Sequence, residues 1–136
     1  MANAQAGNFT RVTDIIDTAV VGIVEDTTIG TAATGFSTSS MVARTALGGR
    51  LVYLELFLNR TGADITQTNS NVTDTLMFTL DVGYRPSETI NAVVGNGSIV
   101  GEAAINADGT VTLRAASYTI TSGTNVRLTA FFITSS

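Results

Sequence analysis

The feature that most constrains the fold is the stretch LVYLELFLNR at residues 51–60, in which apolar side chains alternate along an extended chain. Successive side chains of a β-strand point to opposite faces. One face is aliphatic and consists of Val52, Leu54, Leu56 and Leu58. The other is also largely apolar and consists of Leu51, Tyr53, Glu55, Phe57 and Asn59. Such a strand is either central in a two-sheet core or covered on its second face by another subunit.

A single carboxylate stands on that second face. Glu55 lies between Tyr53 and Phe57, and a neighbouring subunit can supply an arginine that a dry core would lack. The pattern therefore favours Tyr53, Glu55 and Phe57 as residues of a subunit interface.

Turn residues divide the chain into short strands. Met41–Ala46 and Leu51–Arg60 form a predicted hairpin around a glycine pair, and an Asp-Gly dipeptide joins two later strands, because glycine accepts a positive φ without a Cβ clash. The single proline ends the strand before it, since it has no N–H for the ladder. The predicted turn residues are Gly48, Gly49, Gly83, Pro86, Asp108 and Gly109.

Strand signals recur about every ten residues, and no helical periodicity interrupts them. Further strands are expected at 76–80, on both sides of 106–109, at 118–121 and at 126–134, with loops at 27–40 and 61–73. The loop at 27–40 has room for one or two short strand pieces. The prediction is an all-β fold, an antiparallel β-sandwich or jelly roll of about seven to eight strands.

The chain of 136 residues has the length of one domain. We place the sandwich at 27–136, after an extended N-terminal arm at 1–26 that serves attachment or assembly. The stretch 14–26 reads as an edge strand or an oligomer contact. The apolar residues of this candidate attachment arm are Phe9, Val12, Ile15 and Ile16.

Composition excludes several classes of function. The net charge of −4, with seven scattered arginines and no lysine, argues against nucleic acid as a partner. The chain has neither an apolar run long enough for a membrane span nor the pattern of a signal peptide. We therefore expect synthesis in the cytoplasm and no membrane insertion.

The chemistry for catalysis is sparse. Histidine, cysteine and lysine are absent, which removes the usual neutral-pH bases, Schiff-base nucleophiles and imidazole or thiolate ligands. The remaining carboxylates near turns are Asp81, Glu88, Glu102 and Asp108, where such groups are ordinarily solvated or bonded to backbone. A calcium loop would need more oxygen ligands than Asn106-Ala107-Asp108-Gly109 provides. We predict no enzyme activity, no cofactor and no metal.

Tyr84 and Arg85 allow two interpretations. An exposed aromatic beside an arginine is a common hot-spot pair, which makes both candidate interface residues. The structural alternative is that Tyr84 packs under the corner before Pro86 with its hydroxyl bonded to backbone, while Arg85 pairs with an acidic group.

The order of several motifs resembles one family. Phe78-Thr79-Leu80, Gly83-Tyr84-Arg85-Pro86 and Asn106-Ala107-Asp108-Gly109 follow the 51–59 strand and precede an aromatic-bearing final strand. This order resembles the β-sandwich knob domains of tailed-bacteriophage virion proteins, found at tail-fibre tips and in capsid-surface proteins. The resemblance covers about residues 27–136. It implies a homotrimer on the virion exterior, attached by its N-terminal segment and exposing its distal loops.

Two functions fit the resemblance. The leading hypothesis is a homotrimeric capsid decoration protein that contacts the major capsid protein, because only residues 1–26 precede the knob where tail-fibre members carry a long shaft. The alternative is a tail-fibre or tail-tip knob that contacts tail proteins and adheres to host-surface carbohydrate through loops 61–74 and 91–98. These loops contain no aromatic residue, which counts against the alternative.

Overall fold

The computed structural model describes residues 22–135. These residues form ten β-strands and one short 3₁₀ helix, Val82–Tyr84. The strands are β1 (Val24–Asp26), β2 (Gly30–Ala32), β3 (Phe36–Ala46), β4 (Leu51–Arg60), β5 (Gln67–Thr68), β6 (Asn71–Leu80), β7 (Ile90–Gly95), β8 (Val100–Ile105), β9 (Thr110–Ala116) and β10 (Asn125–Ile133).

All strand pairs are antiparallel, which confirms the predicted all-β antiparallel fold. The strands form one continuous sheet in the order β1-β3-β4-β10-β7-β8-β9-β6-β2, and β5 pairs with β6. Three strands have only two or three residues, namely β1, β2 and β5. The other seven have six to eleven residues, and six of them correspond to strands expected from the sequence. The seventh, β7, was not expected, since the sequence analysis treated 91–98 as a loop.

The sheet curls on itself into a half-barrel. Its two edge strands, β1 and β2, are separated by only residues 27–29, and so short a connection holds the two edges close together. The hydroxyl of Tyr84, beyond β6, donates a hydrogen bond to the carboxylate of Asp26 in β1. This contact joins β1 to the corner that follows β6.

The concave side of the sheet is the hydrophobic core. The β4 side chains Val52, Leu54, Leu56 and Leu58 are at most 2% exposed, as the alternation predicted. Strands from the other half of the sheet contribute Met77, Phe78, Leu80, Val111 and Leu113, each at most 1% exposed. The two halves of one curled sheet thus form the two layers that a sandwich would have.

Three expected element boundaries were wrong. β3 begins at Phe36 rather than Met41, because its Ser- and Thr-rich start pairs with the end of β4 across a bulge between Thr38 and Ser40. Part of the expected 61–73 loop is strand, since β6 begins at Asn71 and β5 pairs with it. The expected strand at 118–121 is a loop in which Ile120 makes an isolated bridge to Ile65.

The turn residues lie at chain reversals. Gly48 and Gly49 connect β3 to β4 with φ of 67° and 87°. Gly109, with φ of 94°, connects β8 to β9, and a Cβ there would lie 2.6 Å from both the Leu80 carbonyl oxygen and the Arg85 Nε. Only glycine fits this close approach. The remaining predicted turn residues are Gly83, in the 3₁₀ helix, Pro86, bridged to Thr134, and Asp108.

The half-barrel has two unlike ends. At the terminal end, Val24 pairs with Thr45 and the Thr134 amide donates to the Arg50 carbonyl, so both ends of the described chain lie beside the β3–β4 turn. The distal end consists of loops 61–70, 96–99 and 117–124. They are joined by the Ile65–Ile120 bridge and by bonds from residues 116 and 117 to Ser70 and Val100.

Candidate binding surfaces

The convex side of β4 and β10 carries exposed apolar and aromatic side chains. We call it the outer face and define it by Tyr53, Glu55, Phe57, Arg127, Phe131 and Ile133. The register places Phe131 opposite Tyr53 and Arg127 opposite Phe57. Phe131 is 67% exposed and Ile133 is 58% exposed. Cross-strand pairing therefore places the three predicted interface residues of β4 beside the exposed apolar side chains of β10, Phe131 and Ile133.

Charges on and beside this face are matched within the chain. The Arg44 guanidinium lies 3.0 Å from Glu25 and 3.4 Å from Glu55. The arginine that the sequence analysis assigned to a neighbouring subunit is thus supplied by β3 of the same chain, because Arg44 stands opposite Tyr53 in the ladder. The guanidinium of Arg127 stacks over the Phe57 ring at 5.2 Å, a favourable cation–π arrangement.

The outer face continues into a cleft between β10 and β7. These strands pair only at Arg127–Gly95 and Leu128–Val94. Beyond these pairs they diverge, until Pro86 bridges Thr134. The cleft has a volume of about 630 Å³, and its lining includes Phe57, Asn91, Val93, Arg127 and Phe131. The sheet is therefore open along much of the boundary between β10 and β7.

Tyr84 and Arg85 do not lie among these residues. The Tyr84 hydroxyl donates to Asp26, and this hydrogen bond raises the pKa of Tyr84 to about 12 and lowers that of Asp26. The Arg85 Nε donates to the Leu80 carbonyl at 3.0 Å. Both side chains thus have partners within the chain, although the structural alternative expected backbone for Tyr84 and an acidic group for Arg85.

The distal end is polar and carries one exposed aromatic ring. Tyr118, in loop 117–124, is 66% exposed. It follows Ala116 and Ser117, whose amides donate to the carbonyls of Ser70 and Val100, so it stands between loop 61–70 and turn 96–99. The sequence analysis placed Tyr118 in a strand and found no aromatic in the two loops it considered. In the folded chain, loop 117–124 is a third distal loop, and it supplies the aromatic residue Tyr118.

The candidate carboxylates do not assemble a metal site. No group of three or more potential ligands among His, Cys, Asp and Glu comes together within residues 22–135. The Asp108 carboxylate accepts hydrogen bonds from the amide and hydroxyl of Thr110, which lower its pKa. That is the turn arrangement the sequence favoured.

Two further predictions concern the N-terminal arm and the absence of a membrane span. The attachment-arm residues Phe9, Val12, Ile15 and Ile16 lie outside the described residues. The last three residues of the predicted arm are β1, which pairs with β3 and so belongs to the sheet. As for a membrane span, the part of the chain that the structure describes has no helix of sufficient length and apolarity to cross a bilayer.

Comparison with solved structures shows that this architecture occurs in a known protein. No protein-family model matches the chain, and no curated protein matches it significantly. The fold is an antiparallel curled sheet, and it is similar to the crystal structure of the receptor binding protein gp15 of Listeria phage PSA. The similarity has a TM-score of 0.55 at 17% identity and covers 96% of this chain and 77% of that one. At this identity, the comparison establishes a shared fold.

Proposed function

We propose that this chain is a non-enzymatic virion protein of a tailed bacteriophage, located in the tail, that binds host-surface carbohydrate through its distal end. The observation that carries the proposal is the fold similarity over 96% of the chain to a phage receptor binding protein. It supports the tail-tip hypothesis better than the capsid-decoration hypothesis, since the similar protein is a phage receptor binding protein.

The two unlike ends of the half-barrel agree with this role. The described chain begins at the terminal end, so residues 1–21 connect to the domain on the side opposite the distal loops. An N-terminal segment attached to tail proteins would then leave loops 61–70, 96–99 and 117–124 facing outward. Loops at one end of a rigid scaffold are where recognition residues concentrate.

Tyr118 gives the distal end a side chain suited to binding sugars. A tyrosine ring offers a rigid apolar platform with a polar tip at low entropic cost. The loops that flank loop 117–124 carry hydroxyl and amide side chains, including Asn69, Ser70 and Ser98. A platform among hydrogen-bonding groups suits a ligand whose ring faces are apolar and whose edges carry hydroxyls.

An array of bacterial surface polysaccharides tests this function. The wild-type protein is expected to bind a subset of them, and Tyr118→Ala is expected to weaken binding about tenfold or more through loss of the platform. Val82→Ala is the matched control, since Val82 is 74% exposed in the 3₁₀ helix near the terminal end. Failure of the wild type to bind any polysaccharide, or undiminished binding by Tyr118→Ala, would contradict the proposal.

A further inference from the structure

We infer that the cleft between β10 and β7 is a strand-acceptor site, and that residues 16–20 of the same chain pair with its two edges as an additional β-strand. These residues belong to the N-terminal segment that precedes the described part of the chain. The inference goes beyond receptor binding, because it gives that segment a binding site inside the domain. It requires neither a receptor nor a second copy of the chain.

The first argument is the direction of the backbone groups of β10. In a sheet, the N–H and C=O groups of successive residues point alternately to the two neighbouring strands. The Ile133 carbonyl accepts a hydrogen bond from the Ser87 amide on the β7 side, so the odd-numbered residues of β10 face β7. Thr129 and Phe131 therefore direct their N–H and C=O groups into the cleft, where the described ladder gives them no partner.

The opposite edge of the cleft has the same property. Just after β7, the Asn96 amide donates to the Ile99 carbonyl on the β8 side, so the odd-numbered residues of β7 face β10. Asn91 and Val93 therefore also lack a ladder partner in the described sheet. The open stretch of β10, residues 129–133, is about 17 Å long. Unpaired strand edges of this kind are templates for an added strand.

The floor of the cleft is apolar. Ala92, Val94, Leu128 and Ala130 line it between the two edges, and the two alanines leave room for side chains of another segment. The volume of about 630 Å³ lies in the range of about 300–1,000 Å³ that is typical of ligand sites. The cleft thus offers hydrogen bonds at its walls and apolar contacts at its floor, which are the two requirements of a half-buried β-strand.

The sequence of residues 16–20 fits these requirements. In an extended chain, Ile16, Thr18 and Val20 share one face, and all three are β-branched and uncharged. Asp17 and Ala19 share the other face. The first face suits the apolar floor, and the second face then points outward with its carboxylate in solvent.

This segment also begins beside the cleft. Ile23 lines the hollow that contains Phe131, and Phe131 also lines the cleft. The three steps from Val20 to Ile23 span up to about 10 Å of extended chain, which is enough to cross the Phe131 ring. Residues 1–15, up to about 50 Å when extended, remain for attachment to tail proteins. The same chain can therefore fill the cleft without losing its attachment arm.

The charges around the cleft agree with this path. A strand that enters beside Phe131 carries Asp17 toward the other end of the cleft, which Arg127 lines. Within residues 22–135, no salt bridge involves Arg127. Glu88 lies at the entry end, in the hollow beside the Phe131 ring, where the segment carries only uncharged residues. The carboxylates that contact Arg44 are already matched.

Hydrogen exchange of single amides, measured by NMR on the full chain, tests the inference. We call the N–H groups of residues 91, 93, 129 and 131 the cleft amides. They are expected to exchange at least about tenfold more slowly in the wild type than in the double variant Ile16→Pro/Val20→Pro, because proline lacks an N–H and interrupts strand pairing. The Ala130 amide, which points to β4, is the internal control and should stay protected in both proteins.

Ala4→Pro is the matched control variant, since it places a proline outside residues 16–20, and it should keep the wild-type exchange rates. Fast exchange of the cleft amides in the wild type would overturn the inference, because the cleft would then be empty in the full chain. Slow exchange that persists in the double-proline variant would also overturn it, because another segment would then protect the cleft.

Cross-linking tests whether the strand comes from the same chain. The chain has no cysteine, so Ala19→Cys/Val93→Cys carries only two thiols, and a short bis-maleimide is expected to join them within one chain. In an equal mixture of ¹⁵N-labelled and unlabelled protein, linked peptides should then be fully labelled or fully unlabelled. Half-labelled pairs would show a strand from a second copy and overturn the inference. So would an equal yield from Ala19→Cys/Ser122→Cys, whose second thiol lies in a distal loop. None of these readouts depends on carbohydrate binding.

Discussion

The two sides of β4 have nearly the same apolar content but different environments. On the side toward the core, Leu54 and the other side chains on the same face of β4 are buried. Toward the outside, Tyr53 and Phe57 meet exposed residues of β10 and matched charges. Alternation in the sequence therefore shows which side chains share a face of the strand. The strand order of the whole sheet determines which of the two faces the same chain buries.

The largest expected effect lies on the inner side. Leu54→Ala removes a fully buried side chain and is expected to lower the free energy of unfolding by about 2–5 kcal/mol, since the cavity forms in a packed core. Thr129→Ala on the outer side is the matched control, with an expected change within about 0.5 kcal/mol. Urea unfolding at one fixed protein concentration measures both. Equal effects would remove the distinction between the two sides.

A smaller effect is expected for the charge cluster beside the outer face. Arg44 keeps 40% of its side chain exposed while it contacts Glu25 and Glu55, and exposed ion pairs contribute little. Arg44→Met should therefore change the free energy of unfolding by at most about 1 kcal/mol, and added salt should reduce the difference. Arg114→Met, which removes a similar exposed pair with Asp74 in the other half of the sheet, is the control. A loss of several kcal/mol from Arg44→Met alone would mean that this pair is buried by a partner.

A pH-dependent effect is expected where the two edges of the sheet meet. The hydrogen bond to Asp26 raises the pKa of Tyr84 from 10.0 to about 12. The folded state then binds more protons than the unfolded state between these values, so this contribution to stability falls as the pH rises from 10 to 12. The pKa of Asp26 is lowered from 3.8, so the folded state binds fewer protons near that value. The contribution is complete above pH 3.8 and falls as the pH drops below it.

Thermal unfolding of Tyr84→Phe against the wild type checks this pH dependence. The two stability curves should differ between pH 4 and 10 and converge toward both extremes, because the variant lacks the hydroxyl that donates to Asp26. A difference that stays constant at every pH would show that the hydroxyl acts through packing alone.

Local patterns predicted much of the fold. The alternation of residues 51–60, the glycine pair at 48–49 and the Asp108-Gly109 dipeptide each specify a strand or turn through nearest neighbours. The Ser- and Thr-rich start of β3 did not read as a strand, because its pairing with the end of β4 is set by tertiary contacts and includes a bulge.

The binding surfaces were less accessible to sequence reasoning. The alternating pattern of the last strand places Phe131 on one of its two faces. Its position beside Tyr53, however, depends on pairing between strands about 75 residues apart. Tyr118 was missed because its loop was read as a strand, and its proximity to loop 61–70 depends on contacts distant in sequence. Non-local pairing therefore decides both surfaces.

The most direct test of the proposed function is the position of the protein on intact virions that contain it, by cryo-electron microscopy or by gold-labelled antibody. We predict density or label at the end of the tail, with loops 61–70 and 117–124 directed away from the particle. Label at regular positions over the head would contradict this account and return the protein to the capsid-decoration hypothesis.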